Sequence, residues 1–150
     1  MSLFYLLRRI SRNLFWRSPT LYRPIGYLRN RSNYHLRNYD LWIGGFPRSG
    51  NTYTAKTMEF LLSNGQKVIS WIHLPPPIIQ AVREKKPGIL LVRDPRDAAV
   101  SWAIYTGRRL DQCLHYYIDF HRVLRPYLDR MLVFDFDLAT GDFLKLAECF

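Results

Sequence analysis

The sequence predicts an α/β fold in three layers, a parallel β-sheet flanked by helices on both faces. Four short apolar runs, residues 41–46, 67–71, 89–92 and 131–136, alternate with longer helix-like stretches. Strands that alternate with helices require right-handed crossovers and hence a parallel sheet. The third run, ILLV, is continuously apolar, as suits a strand buried on both faces. The residues able to carry chemistry fall just after the first three runs, at the strand ends where such sheets bind ligands.

The chain divides into a basic N-terminal part, residues 1–38, and a domain over residues 39–150. Residues 1–17 read as a basic amphipathic helix. Leu3, Leu7, Ile10 and Leu14 share one face, and Arg8, Arg9 and Arg12 lie opposite. The apolar run is too short and too interrupted by arginine to span a bilayer. It also lacks the apolar core and small-residue cleavage site of a secretory signal. Such a helix suits peripheral contact with an anionic membrane surface. The alternatives are a segment that packs its Leu face on the domain or frays, or a transit peptide. Residues 18–38, with Pro19, Pro24 and Gly26, read as a connector with room for a short helix.

Within the domain, the strand over 41–46 runs into a glycine-rich loop and then a helix to about Ser63, stopped by Asn64-Gly65. The β-rich KVISW, residues 67–71, is the second strand. Pro75-Pro76-Pro77 reads as a rigid turn before a short helix over 78–85, and Pro87-Gly88 breaks the chain. After the strand over 89–92, a helix runs from about Asp94 to Tyr105, with Asp94 as cap, Pro95 in the first turn and Gly107 as stop. Residues 110–130 read as one long helix with Leu110, Leu114, Tyr117, His121, Leu124 and Leu128 on one face. The strand over 131–136 and a helix over 142–150 complete the chain.

Composition narrows the function classes. The 150 residues include 48% hydrophobic and 15% aromatic residues, which argues against disorder along the chain. Cys113 and Cys149 form no disulfide framework and, with the four histidines, no zinc-ligand spacing, so a reducing, cytoplasmic compartment and no metal are expected. The first 40 residues hold eight arginines and one acid, Asp40, a net +7, and the remainder contributes +3 of the chain's +10. Interleaved Arg and Tyr in that segment come with no nucleic-acid motif, and no nucleic-acid partner is expected.

The loop GGFPRSGNTY carries the most information. A strand, a tight loop and a helix start form an anion cradle, because the first helical N–H groups have no intrahelical partner and the helix dipole is positive there. The spacing Gly45-x4-Gly50-Asn51-Thr52 nearly fits the triphosphate loop G-x-x-x-x-G-K-[ST]. Asn51 replaces the lysine that would reach the β/γ-phosphates, and Arg48 is the loop's only cation. A smaller or less charged group than a Mg-bound triphosphate is expected.

Three segments together resemble the PAPS-dependent sulfotransferases. PRSGNTY, residues 47–53, resembles their 5′-phosphosulfate loop, P-[KR]-S-G-[TN]-T-[WYF]. ILLVRDPRDAAVSW, residues 89–102, is similar to their 3′-phosphate motif, an apolar strand followed by R-[DN]-P-x-D-x-x-x-S, with Arg93 and Ser101 eight apart. His73 in WIHLP, twenty residues before Arg93, stands where the family's catalytic histidine commonly does. The resemblance implies a P-loop NTPase-like fold and sulfonyl transfer from 3′-phosphoadenosine 5′-phosphosulfate to a hydroxyl or amine of a small-molecule or glycan acceptor, without metal. It implies that Ser49, Gly50, Asn51 and Thr52 hold the 5′-phosphate, that Arg48 neutralises charge on the leaving oxygen, and that His73 is the general base. It further implies that Arg93 and Ser101 bind the 3′-phosphate and that Tyr53 stacks on the adenine.

Two departures accompany the resemblance. Trp71 stands where many soluble members carry a lysine, two residues before the histidine. The chain also ends soon after MLVFDFDLATGDF, so the domain is expected to be incomplete at its C-terminus relative to the family, without the segment that finishes the nucleotide site. Two alternatives compete with the transferase: a P-loop kinase or nucleotidase using Asp135 on magnesium, and a non-catalytic membrane-surface protein retaining the fold. His115 and His121 are assigned no role.

Overall fold

Four strands form one sheet in the order β2-β1-β3-β4, and every neighbouring pair is parallel. The computed structural model describes residues 3–22, 24, 39–62 and 65–141. In chain order its elements are α1 (Leu3–Arg17), β1 (Leu41–Gly45), α2 (Asn51–Leu61), β2 (Val68–Ile72), α3 (Pro75–Arg83), β3 (Gly88–Val92), α4 (Pro95–Thr106), α5 (Leu110–Leu124), a 3-10 segment (Arg125–Arg130), β4 (Leu132–Asp135) and α6 (Phe136–Gly141). The expected alternation and parallel sheet are both present. The helix expected over 142–150 lies outside the described residues, and so does most of the connector.

Side chains alternate across the sheet and build two cores. Trp42 and Leu90 face one layer, where they meet Trp16, Ile78, Ile79, Phe120 and Leu124. Leu41, Ile43, Ile89 and Leu91 face the other, against Ala55, Met58 and Ala139. The first core collects α1, α3 and α5, the second α2 and α6, which gives helix, sheet and helix layers. The central strand fixes a close approach: Trp42 pairs with Gly88 on β3. A Cβ at Gly88 would lie 1.8 Å from the Trp42 ring, so only glycine lets the indole lie across β3, with its Nε1 donating to the Lys86 carbonyl at 3.1 Å.

Three helical expectations need correction. Pro75, Pro76 and Pro77 are the first turn of α3 rather than a separate turn. The first N–H groups of a helix have no intrahelical acceptor, so prolines lose nothing there. The long helix over 110–130 is instead α5 followed by the 3-10 segment, because Pro126 has no N–H to continue the α-helical ladder. Its inward face is also rotated: Cys113, Tyr117, Phe120 and Leu124 are buried, while Leu110 and Leu128 are exposed.

Helix α1 is turned the other way round from the simplest apolar-in reading. Leu7, Ile10 and Leu14 are 57%, 50% and 64% exposed. The opposite side packs inward. Trp16 is buried and meets Tyr116 edge-on at 4.8 Å. Arg9 forms a two-pronged pair with Asp119 on α5, both contacts at 2.7 Å, and Arg12 donates to the same carboxylate at 2.6 Å. Asp119 is fully buried. Burial opposes its charge, but the hydrogen bonds and charges of Arg9 and Arg12 outweigh that and hold its pKa below the ordinary carboxylate value. Among the described residues, no helix is long and apolar enough to cross a membrane.

Candidate functional site

The chain leaves β1 toward β2 on one side of the sheet and leaves β3 toward β4 on the other. The carboxyl ends of β1 and β3 thus flank a topological switch point, where a crevice opens between diverging connections. The loop after β1 carries Arg48, and the residue after β3 is Arg93. His73 follows β2 at once.

The loop itself is tightly turned. The Ser49 N–H donates to the Phe46 carbonyl at 3.2 Å, and α2 starts at Asn51. Arg48 has a φ of 69° and Gly50 one of 81°. A non-glycine residue in the left-handed region costs on the order of 1 kcal/mol, a strain that concentrates at ligand-binding turns. A Cβ at Gly50 would also lie 3.0 Å from the Phe136 ring, so the loop is seated against α6. The amides at the start of α2 remain without intrahelical acceptors and carry the positive end of the helix dipole.

These strand ends enclose a cavity of about 540 Å³, within the range of about 300–1,000 Å³ usual for small-molecule sites. It is lined by Pro47, Arg48, Gly50, Asn51, Thr52, Tyr53, His73, Arg93, Trp102, Tyr105 and Phe136. Of the residues singled out in the sequence, Arg48, Gly50, Asn51, Thr52, Tyr53, His73 and Arg93 are therefore brought together. Ser49 is buried beneath the loop, and Ser101 stands behind Arg48, whose Nε donates to its Oγ at 3.1 Å. Arg93 Nη1 donates to the Arg48 carbonyl at 3.0 Å, so the two arginines brace one wall. The Arg48 guanidinium lies over Tyr105, and that of Arg93 over Phe136 at 4.3 Å. Tyr117 donates to the Arg93 carbonyl at 2.7 Å, and burial pushes its phenol up to about 12, so it stays a donor. Asp94 is the side-chain cap of α4, accepting from the Arg96 N–H at 2.8 Å, with Pro95 next in the helix.

His73 is tied down at one nitrogen. Its Nδ1 lies 3.1 Å from the Gly45 carbonyl and 2.9 Å from Asn51 Nδ2. Burial lowers its pKa below the ordinary histidine value, and the Gly45 carbonyl opposes that shift. The ring is therefore neutral at neutral pH. Several polar atoms around the loop are buried with no hydrogen-bond partner among the described residues: Ser49 Oγ, Asn51 Oδ1, Arg93 Nε and Trp102 Nε1. Buried polar groups are rarely left unpaired except where a ligand or water completes them.

Sequence reasoning did not single out Trp102, Tyr105 or Phe136. Trp102 and Tyr105 stack at 5.7 Å along α4, and their spacing just after Ser101 was the available signal. The apolar pattern ends the fourth strand at Phe136, whereas the residue opens α6 and turns toward Gly50 and Arg93. Asp135, the acid that a magnesium-dependent reading would use, does not line the cavity, and its carboxylate accepts the Asp137 N–H at 2.8 Å. Comparison of the chain with protein-family models, curated proteins and solved structures returns no match.

Proposed function

We propose that this protein is a sulfotransferase acting from 3′-phosphoadenosine 5′-phosphosulfate on an acceptor hydroxyl or amine. The observation that carries the reading is the convergence of Arg48, His73 and Arg93, from the ends of three different strands, on one cavity floored by a helix N-terminus. The residues fit a nucleotide with phosphates on both sides of its ribose. Two guanidiniums and the amides of α2 supply positive charge, and among the described residues no carboxylate lines the cavity. Tyr53, Trp102 and Tyr105 offer flat apolar surfaces for a base. The anion loop after the first strand of a parallel sheet supports a P-loop-like reading of the fold.

The donor supplies an activated sulfonyl group: transfer forms an S–O or S–N bond to the acceptor and breaks the S–O bond to the 5′-phosphate. His73 takes the acceptor's proton. In the tautomer with Nδ1–H donating to the Gly45 carbonyl, which the Asn51 amide favours when its oxygen is turned to the ring, the Nε2 lone pair is the base, and the lowered pKa keeps it available at neutral pH. Arg48 stabilises negative charge growing on the departing oxygen. Arg93, which lines the cavity, holds the 3′-phosphate through its guanidinium. Ser101 binds the 3′-phosphate with Arg93, and its Oγ, which accepts from Arg48 Nε at 3.1 Å, also positions Arg48.

Titration calorimetry with adenosine 3′,5′-bisphosphate, against ATP with magnesium, tests the assignment. Binding of the bisphosphate without a response to Mg-ATP is expected. Magnesium-dependent ATP binding with no response to the bisphosphate establishes the kinase or nucleotidase reading instead. Silence to both leaves a fold without this chemistry.

A further inference from the structure

We propose that the outward face of α1 is a docking surface for an anionic lipid bilayer. The face is a helical stripe of Leu7, Ile10 and Leu14, all at least half exposed, with Leu6 beside it. Its outward orientation is fixed from behind. Arg9 and Arg12, on the inward side, are held by the buried Asp119, and Trp16 packs into the core. A helix free to choose would bury its leucines and solvate its arginines. Here the ion pairs and Trp16 do the reverse, and an apolar stripe is presented to the surroundings by a rigid mount.

Charge identifies the occupant. Arg17 is exposed, and the helical spacing sets it beside Ile10 at the edge of the stripe, at headgroup depth if the leucines enter the acyl boundary; Arg8, also exposed, lies on the far flank of the helix beyond Leu7. Arg108 borders the same surface cavity as Arg8 and adds a further cation beside α1. The first 40 residues carry a net +7. That charge opposes a second copy of this chain on the same face and favours phosphatidylserine-like headgroups, whose negative surface potential attracts basic residues. The inference does not depend on the nucleotide reading, because no residue of the stripe lines the cavity at the strand ends.

Co-sedimentation of the full chain with phosphatidylcholine vesicles, with and without phosphatidylserine, tests the proposal. Binding is expected only with phosphatidylserine present and weakens with added salt. Leu7→Gln/Leu14→Gln should reduce it by about tenfold or more through lost apolar burial. Arg8→Glu/Arg17→Glu should reduce it while leaving the leucines intact. Both pairs lie at exposed positions, and unchanged circular dichroism and melting temperature confirm that α1 is intact. Equal binding to neutral vesicles, indifference to the leucine substitutions, or no vesicle binding at all overturns the proposal. A solution dimer dissolved by Leu7→Gln/Leu14→Gln in the absence of vesicle binding also overturns it, in favour of a second copy on this face.

Discussion

Asn51 Nδ2 stands 2.9 Å from His73 Nδ1, and both nitrogens reach the carbonyl of Gly45, at 3.3 Å and 3.1 Å. A lysine at position 51 would extend toward a triphosphate. The shorter amide instead ties the anion loop to the ring at the end of β2. It also controls the ring's proton. Donating to Nδ1, the amide leaves the proton on Nε2; turned by half a rotation, its oxygen accepts Nδ1–H and frees Nε2 as a base. Asn51→Ala should therefore lower kcat by roughly 10- to 100-fold, part of what a positioned base contributes. KM for the donor and the affinity for adenosine 3′,5′-bisphosphate should change little. A loss confined to nucleotide binding would show that the amide serves the phosphate rather than the ring.

His73→Ala should abolish transfer and leave bisphosphate binding nearly intact. The wild-type rate should rise with pH and reach its plateau at neutral pH. Burial lowers the His73 pKa, so the midpoint belongs below the ordinary value of about 6.5. A pH–rate profile with a midpoint well above that value assigns the base to another group.

Arg93→Ala should weaken bisphosphate binding by about 2 kcal/mol, the worth of a charge-assisted contact. It also removes the brace to the Arg48 carbonyl. Arg93→Lys keeps the charge but not the two-directional reach, and should recover only part of the affinity. An unchanged dissociation constant in the calorimeter for Arg93→Ala removes this residue from the site.

Much of this was legible in the sequence, for local reasons. Each strand was announced by an apolar run bounded by glycine, proline or polar residues, so the four observed strands fall within a residue or two of their expected ends. The cap at Asp94 and the stop at Gly107 are short-range signals, and both are present. What remained hidden was decided at long range. The strand order depends on which edges pair. The rotated face of α5 depends on Phe46, which gathers Tyr117 and Phe120 around its ring. The orientation of α1 depends on Asp119, more than a hundred residues away, and no helical wheel of residues 1–17 contains that partner. Phe136 was missed for a similar reason, because its apolar neighbours continued the strand pattern past the point where the backbone turns.

Asp119 is the anchor on which the mounting of α1 rests, and its removal should show in two ways. Asp119→Ala leaves Arg9 and Arg12 without their carboxylate, and breaking a buried pair costs about 3 kcal/mol. The arginines retain 18% and 23% exposure, so water recovers part of their solvation and the loss should fall at or below that figure. Denaturant unfolding measures it. The pH dependence follows from the signs. The native pKa of Asp119 is lowered, so the unfolded state binds the proton more readily. The contribution is complete above the unfolded value of about 3.9 and disappears as pH falls through the native one. His73 and His121 are lowered too, each by burial first, with a backbone carbonyl opposing. Their contributions are complete above about 6.5 and are lost as pH falls through their native values. Wild-type stability should thus decline in two stages on acidification, a histidine stage below neutrality and a carboxylate stage below pH ~4. Asp119→Ala should keep the first stage and diminish the second; a variant that retains both in full would show that the pairing with Arg9 and Arg12 contributes nothing to holding α1 in place.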